Sequence, residues 1–194
     1  MKRMYCLLLL IFCAWPVSNV FAGFTDDLKE VNANFTYRSQ PIHPGLVQEF
    51  STLALDHTNP ITVSVDVATG MGTNEYPDNN VSVNQAGVVC SQKNGTIFCY
   101  RWLGRLKNGI HVLNVGESGS GSWRHGELFF VRFEPGRGYT AEGRQYGRIL
   151  MTVVRSYPLR DDFSGNVKID GNKVIVREGE EDDAKDKALE CPAQ

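Results

Sequence analysis

A glycine- and serine-rich segment, residues 116–126, carries the side chains best suited to chemistry. Within it lie Glu117, Trp123, Arg124 and His125. An indole offers a flat face on which a ring can stack, and the three polar groups donate or accept hydrogen bonds. The glycines between them allow the backbone to approach a ligand closely. We therefore predict that residues 116–126 form a ligand-binding loop.

The same segment is also compatible with two other roles. Its glycine and serine content is typical of an unstrained connection between two strands, which needs no function. Glu117 and His125 are in addition the one close pair of titratable groups that we nominate for general acid–base work. Because the spacing alone does not establish that geometry, we assign no catalytic residue.

A row of aromatic residues, Phe98, Tyr100 and Trp102, occupies alternate positions of a second segment. On a strand these three side chains share one face. If that face is buried, the row belongs to the core; if it is exposed, it is a platform for a carbohydrate or a peptide. Trp102 therefore joins the candidate ligand-binding residues.

The histidines and acidic residues do not have the spacing of a metal site. The four histidines are scattered along the chain, without a zinc-ligand pattern. Residues 161–162 and 170–172 hold oxygen ligands but lack the spacing of an EF-hand. We predict no metal site and no cofactor.

The first residues form a secretory signal. Residues 4–15 are an apolar run that follows two basic residues, and Val20 and Ala22 occupy the positions that signal peptidase recognises before Gly23. The run is too short to cross a bilayer of roughly 30 Å as a helix. We predict that residues 1–22 are a signal peptide, that the mature protein is secreted or periplasmic, and that it has no membrane association after cleavage.

The charge excludes one class of partner. The whole chain has a formal net charge of -2, and removal of Lys2 and Arg3 leaves 18 basic against 22 acidic residues. Because there is no basic excess, we expect no nucleic-acid partner. Residues 101–160 are locally basic, whereas residues 178–194 are acidic, lack apolar periodicity and are predicted to be a flexible tail.

One hairpin carries a predicted disulfide. Asn94-Gly95 is the strongest two-residue hairpin signal, and with these residues in the turn Cys90 lies directly opposite Cys99. Side chains at such a position are close enough to bond in an oxidising compartment. Cys191 is left unpaired near the end of the chain.

Period-two alternation dominates the rest of the chain and predicts the fold class. Residues 61–67 and 127–133 are predicted strands, with turns at Asn108-Gly109, at residues 135–138 and at Gly171-Asn172. Helix signals are few: residues 26–32 suit a turn or two, and residues 45–55 fit neither period. We predict one all-β domain over residues 23–177, an antiparallel β-sandwich or barrel-like meander with one hairpin disulfide.

These patterns together predict a secreted or periplasmic, non-catalytic binding module. Its ligand is expected to be a glycan, a peptide or a protein, held by residues 116–126 with Trp102 nearby. The first alternative is a hydrolase that acts on an extracellular polymer. The second is a structural or assembly subunit of a surface complex, which docks through an open sheet edge.

Overall fold

The fold is a seven-stranded antiparallel sheet covered on both faces. The structure is a computed structural model that describes residues 19–52, 64–72, 81–93, 95–118, 126–159, 166–178 and 185–190. The helices are α1 (Asn19–Asn34), α2 (Pro44–Thr52) and α3 (Val67–Gly72). The strands are β1 (Thr36–Tyr37), β2 (Gln40–Pro41), β3 (Ser64–Asp66), β4 (Ser82–Val83), β5 (Val88–Lys93), β6 (Thr96–Arg105), β7 (His111–Ser118), β8 (Glu127–Tyr139), β9 (Gln145–Pro158), β10 (Val167–Asp170), β11 (Lys173–Glu178) and β12 (Lys185–Glu190).

The large sheet is an open meander. Strands β4 to β9 pair in sequence order, and β3 adds to the outer side of β9, so the order is β3-β9-β8-β7-β6-β5-β4. Because β3 and β4 stand at opposite edges and do not pair with each other, this sheet does not close into a barrel. The predicted all-β, antiparallel fold class is confirmed, with the sandwich rather than the barrel as its architecture.

A second sheet completes the sandwich on one face. Strands β10, β11 and β12 form it, and their buried Val174, Val176 and Leu189 pack on the large sheet. The large sheet contributes Leu128 and Phe130 to the same cluster. The hairpin of β10 and β11 has the register predicted from the turn at Gly171-Asn172.

Three helices cover the opposite face, of which the sequence signals indicated only a turn or two, at residues 26–32 of α1. From α2, Leu46, Val47 and Phe50 are buried against the sheet, and from α1, Val31 is fully buried. Each helix is short and presents only a few apolar residues, so its 3.6-residue period is weak in the sequence. Tyr100 links the sheet to the helix layer, because its hydroxyl donates a hydrogen bond to the carbonyl of Ile42 at 2.6 Å. Burial raises the pKa of this phenol.

The disulfide hairpin is confirmed residue by residue. Cys90 pairs with Cys99 across β5 and β6, with a Cα–Cα distance of 4.1 Å and a disulfide bond between them. The next hairpin differs from the prediction by one residue. The turn at Asn108-Gly109 belongs to a three-residue loop in which Leu106 N–H donates to the Ile110 carbonyl at 2.8 Å. Gly109 has a φ of +90°, as the last residue of such a loop requires.

The predicted turn at residues 135–138 is wrong, because these residues lie inside β8. Gly136 and Gly138 are needed there for cross-strand packing: a Cβ on Gly136 would lie 2.7 Å from Leu150, and one on Gly138 would lie 2.5 Å from Tyr146. The chain turns instead at residues 140–144, where Gly143 has a φ of +78°. Strands β8 and β9 therefore extend past β7 as an arm, residues 132–152, which β3 joins only at residues 150–152 of β9.

The strand predicted over residues 61–67 ends one residue earlier in the structure. Residues 61–63 lie outside the described residues, β3 ends at Asp66, and Val67 begins α3. Asp66 explains the change because its carboxylate accepts hydrogen bonds from Thr69, from the hydroxyl at 2.7 Å and from the backbone N–H at 3.4 Å. It is thus the N-cap of α3.

Part of the expected flexible tail is a strand, which corrects the prediction for residues 178–194. Strand β12 pairs with β11, and Leu189 is only 3% exposed. Lys173 and Glu190 form an ion pair at 2.6 Å across these strands. A single buried leucine among charged residues gives too weak a period for the sequence to indicate a strand. Cys191 lies outside the described residues.

Candidate functional site

The predicted binding loop is described only at its ends. Trp123, Arg124 and His125 lie outside the described residues. Glu117 is half-buried near the end of β7, where its Oε1 accepts a hydrogen bond from Gln48 Nε2 of α2 at 3.5 Å. The carboxylate therefore faces the helix layer, and the ligand-binding role of residues 116–126 stays a prediction.

Trp102 does not join Glu117. Trp102 pairs with Leu113 and Phe98 pairs with Glu117, so four residues of β7 separate the two positions. At the rise of a strand this is about 13 Å. Phe98 and Tyr100 are 2% and 1% exposed, which shows that the aromatic row belongs to the core. An exposed aromatic platform at Trp102 is therefore not what the structure shows.

A buried histidine sits at the end of this aromatic row. His111 is fully buried, with its ring centroid 5.6 Å from Phe35, 5.3 Å from Phe133 and 6.0 Å from Trp102. Neither imidazole nitrogen has a hydrogen-bond partner among the described residues. Burial, and secondarily the charge of Arg105, lowers the pKa of His111 to about 4. The imidazole is therefore neutral at pH 7 and is part of the core rather than of an accessible site.

Among the described residues, a cleft between α1 and the arm is an accessible candidate site. Its volume is about 530 Å³. This lies within the range of roughly 300–1,000 Å³ that is usual for small-ligand sites. The cleft is lined by Phe24, Pro135, Gly136, Arg137, Gln145, Tyr146 and Gly147. We call it the arm cleft.

The packing of Phe24 on Gly147 shapes the arm cleft. The ring of Phe24 lies over Gly147, where a Cβ would be 2.9 Å from the ring. Arg137 is the cross-strand partner of Gly147. Because side chains alternate along a strand, Arg137 and Gln145 emerge on the same face as Phe24. Tyr146 emerges on the other face, over Gly138, and is 37% exposed.

The charges of the arm are matched with one exception. Three arm arginines have carboxylate partners: Arg132 with Glu134 at 3.4 Å, Arg144 with Glu142 at 3.6 Å, and Arg148 with Asp66 at 2.9 Å. The exposed side chain of Arg137 has no such partner among the residues that the structure describes. Within the described part of the chain, the positive charge of Arg137 in the arm cleft is therefore not offset by a carboxylate.

Sequence reasoning missed this cleft. The glycines of residues 135–138 indicated a turn, and Phe24 stood outside any pattern that we used. A possible signal was the excess of arginine over residues 101–160, which includes Arg137. That excess did not identify the arm, in which three of the four arginines have carboxylate partners.

Metal sites, membrane spans and known relatives give no further guide. In the described ranges no group of three or more His, Cys, Asp or Glu residues is placed to hold a metal ion. None of the helices in those ranges has both the length and the apolar character needed to cross a membrane. Comparison of the chain with protein-family models, with curated proteins and with solved structures found no match.

Proposed function

We propose that this protein is an exported, non-catalytic binding module that holds its ligand in the arm cleft. Export rests on the signal-like pattern of residues 1–22, and the disulfide between Cys90 and Cys99 is compatible with an oxidising compartment. The proposed location is therefore extracellular or periplasmic.

The observation that carries the proposal is the composition of the arm cleft. Phe24 supplies an apolar ring, Gln145 supplies an amide that both donates and accepts, and Arg137 supplies a charge. Small-ligand sites combine an apolar wall with a few polar groups in this way. At Gly136 and Gly147 the space that a Cβ would need is occupied by the side chains of Leu150 and Phe24, so these glycines allow the walls of the cleft to pack closely.

The side chains of the cleft lining favour ligand binding over hydrolysis. None of the described residues that line it carries a carboxyl, imidazole or thiol group. Hydrolysis of a polymer requires a general acid and a general base or nucleophile within reach of the scissile bond. The hydrolase alternative would therefore need another surface, such as the pair Glu117 and His125.

The loop at residues 116–126 remains a second candidate surface for the same function. Strand β8 starts at Glu127, next to this loop, and reaches the arm cleft at Pro135. Eight residues of strand correspond to about 26 Å. The described C-terminal end of the loop and the arm cleft thus lie apart, and substitutions distinguish the two candidate surfaces.

The test is a binding screen on the exported protein, with its disulfide formed and its N-terminus determined by mass spectrometry. A panel of glycans and peptides is scored by the shift of the unfolding midpoint. A ligand at 100 times its dissociation constant adds about 2.7 kcal/mol to the free energy of unfolding. We expect a hit that is lost in Gln145→Ala and retained in Trp123→Ala.

Other outcomes contradict the proposal in different ways. Loss of the hit in Trp123→Ala alone moves the site to residues 116–126. Turnover of a panel member makes the protein an enzyme. A flat panel for a protein that unfolds cooperatively, together with concentration-dependent self-association, favours the assembly subunit.

A further inference from the structure

We infer that the arm cleft selects an acidic sugar residue, a saturated ring that carries one carboxylate, over its neutral counterpart. This inference rests on the proposed function and names its ligand class. It starts from the pairing of charges on the arm, residues 132–152. Among the residues that the structure describes, each arm arginine except Arg137 has a carboxylate partner, and Arg137 is the arginine that lines the cleft.

The position of Arg137 places its charge beside the apolar wall. Arg137 and Gly147 are directly opposite each other on β8 and β9, and Phe24 covers Gly147. Directly opposed positions have Cβ sites about 4.5–5.5 Å apart. The Phe24 ring therefore occupies the space that the absent side chain of Gly147 leaves, and the Arg137 side chain emerges beside it on the same face. A ring stacked on Phe24 would have its substituent within reach of Arg137.

The donor set favours a carboxylate. A single guanidinium matches one carboxylate in charge and, through two parallel N–H donors, in geometry. Among the described residues, the cleft lining contains no lysine and no second arginine to balance a doubly charged phosphate. A carboxylate is therefore the anion whose charge this lining neutralises.

The remaining lining favours a sugar as the body of the ligand. Gln145 has an amide that donates to one hydroxyl and accepts from another, which is the pairing that a hydroxylated ring needs. Phe24 provides a wall for the apolar C–H face of such a ring. An aromatic acid shares the ring and the carboxylate but has no hydroxyls for Gln145, so it serves as the competing source in the test.

The test is an NMR titration of the ¹⁵N-labelled protein with three probes: galacturonate, galactose and benzoate. Galactose is the neutral counterpart of galacturonate, and benzoate keeps the carboxylate on an aromatic ring. We expect galacturonate to shift the backbone amides of Gly136 and Gly147, with at least tenfold weaker binding of galactose. Arg137→Gln should weaken galacturonate binding about tenfold or more, since a charge-assisted hydrogen bond is lost.

The matched control is Arg144→Gln, which removes the same charge from the same arm but from a residue paired with Glu142 outside the cleft lining. We expect this variant to bind galacturonate like the wild type. Both variants are checked first for a native ¹⁵N spectrum. If both substitutions weaken binding equally, the general charge of the arm attracts the anion, and selection by Arg137 is wrong.

The remaining outcomes separate the inference from the proposed function. Equal binding of galactose and galacturonate at the cleft leaves the binding module intact but overturns selection of an acid. Binding of benzoate with no binding of galacturonate overturns the sugar. If neither these probes nor the wider panel binds at the cleft, the proposed function itself fails.

Discussion

Mild acidification should destabilise this protein through one residue, His111. The side chain is fully buried, and burial lowers its pKa to about 4, against 6.5 for an unperturbed histidine. The unfolded chain therefore binds a proton at a pH where the folded chain does not. The contribution of neutral His111 to the free energy of unfolding is fully present above pH 6.5. It falls as the pH decreases toward 4, where His111 in the folded state also becomes protonated.

The size of the effect follows from the two pKa values. Linkage between them gives a loss of about 2 kcal/mol between pH 7 and pH 5, and roughly 3 kcal/mol once both states are protonated. A small domain has a total stability of about 5–15 kcal/mol, so this loss is readily measured.

The assay is urea unfolding at pH 7 and pH 5 for the wild type and for His111→Phe. Phenylalanine suits a site that is already enclosed by Phe35 and Phe133. Every other titrating group is common to both proteins, so the difference between their pH effects belongs to His111. We expect the wild type to lose about 2 kcal/mol more than the variant. The variant also removes two buried nitrogens that have no hydrogen-bond partner in the described ranges, which favours the folded state at pH 7.

Two results would refute this reasoning. The first is the same loss of stability on acidification in the wild type, in His111→Phe and in the smaller His111→Leu. The second is an NMR titration of the His111 ring protons that gives a pKa at or above 6.5. The leucine variant is included because it separates overpacking by the phenyl ring from the loss of the titrating group.

Three further predictions concern stability. Ser39 has a φ of +62°, so Ser39→Gly should raise the free energy of unfolding by roughly 0.5–1 kcal/mol in urea unfolding; no change or a decrease would contradict strain at this turn. Hydrogen bonds from the Ser39 N–H and from the Thr36 hydroxyl lower the pKa of Glu30, so the ionised carboxylate stabilises the fold above pH 4.5 and this contribution is lost below it. Glu30→Gln should therefore lower the free energy of unfolding at pH 7 and reduce its loss on acidification. Replacement of Cys90 and Cys99 by serine should cost about 2–3 kcal/mol without change in the sheet, as measured by urea unfolding and circular dichroism.

The features of the fold that the sequence predicts well are those encoded by adjacent residues. Asn94-Gly95 sets both strands of its hairpin, and the register that places Cys90 opposite Cys99 follows by counting outward. Gly171-Asn172 likewise sets the register of the hairpin formed by β10 and β11. At Asn108-Gly109 the same dipeptide forms a three-residue loop, because Gly109 is its last residue rather than the second of two.

The features that the sequence predicts poorly depend on distant residues. Gly136 and Gly138 have the composition of a turn, yet they continue β8 because the side chains of Leu150 and Tyr146 occupy the space that Cβ atoms would need. Nothing near residues 135–138 indicates those neighbours. The buried face of α2 likewise becomes apparent only once the sheet provides a surface for Phe50.

The candidate site shares this dependence on distant residues. Phe24 comes from the start of α1, whereas Arg137 and Gly147 come from the arm, so no local motif could have predicted the arm cleft. Predicted cleavage before Gly23 leaves Phe24 as the second residue of the mature chain, with α1 continuing from it. If a signal is removed as the sequence predicts, one wall of the cleft depends on the exact cleavage position. Cleavage after Phe24 would remove the ring that covers Gly147 and lies beside Arg137. The position of the mature N-terminus would therefore determine whether the site is complete.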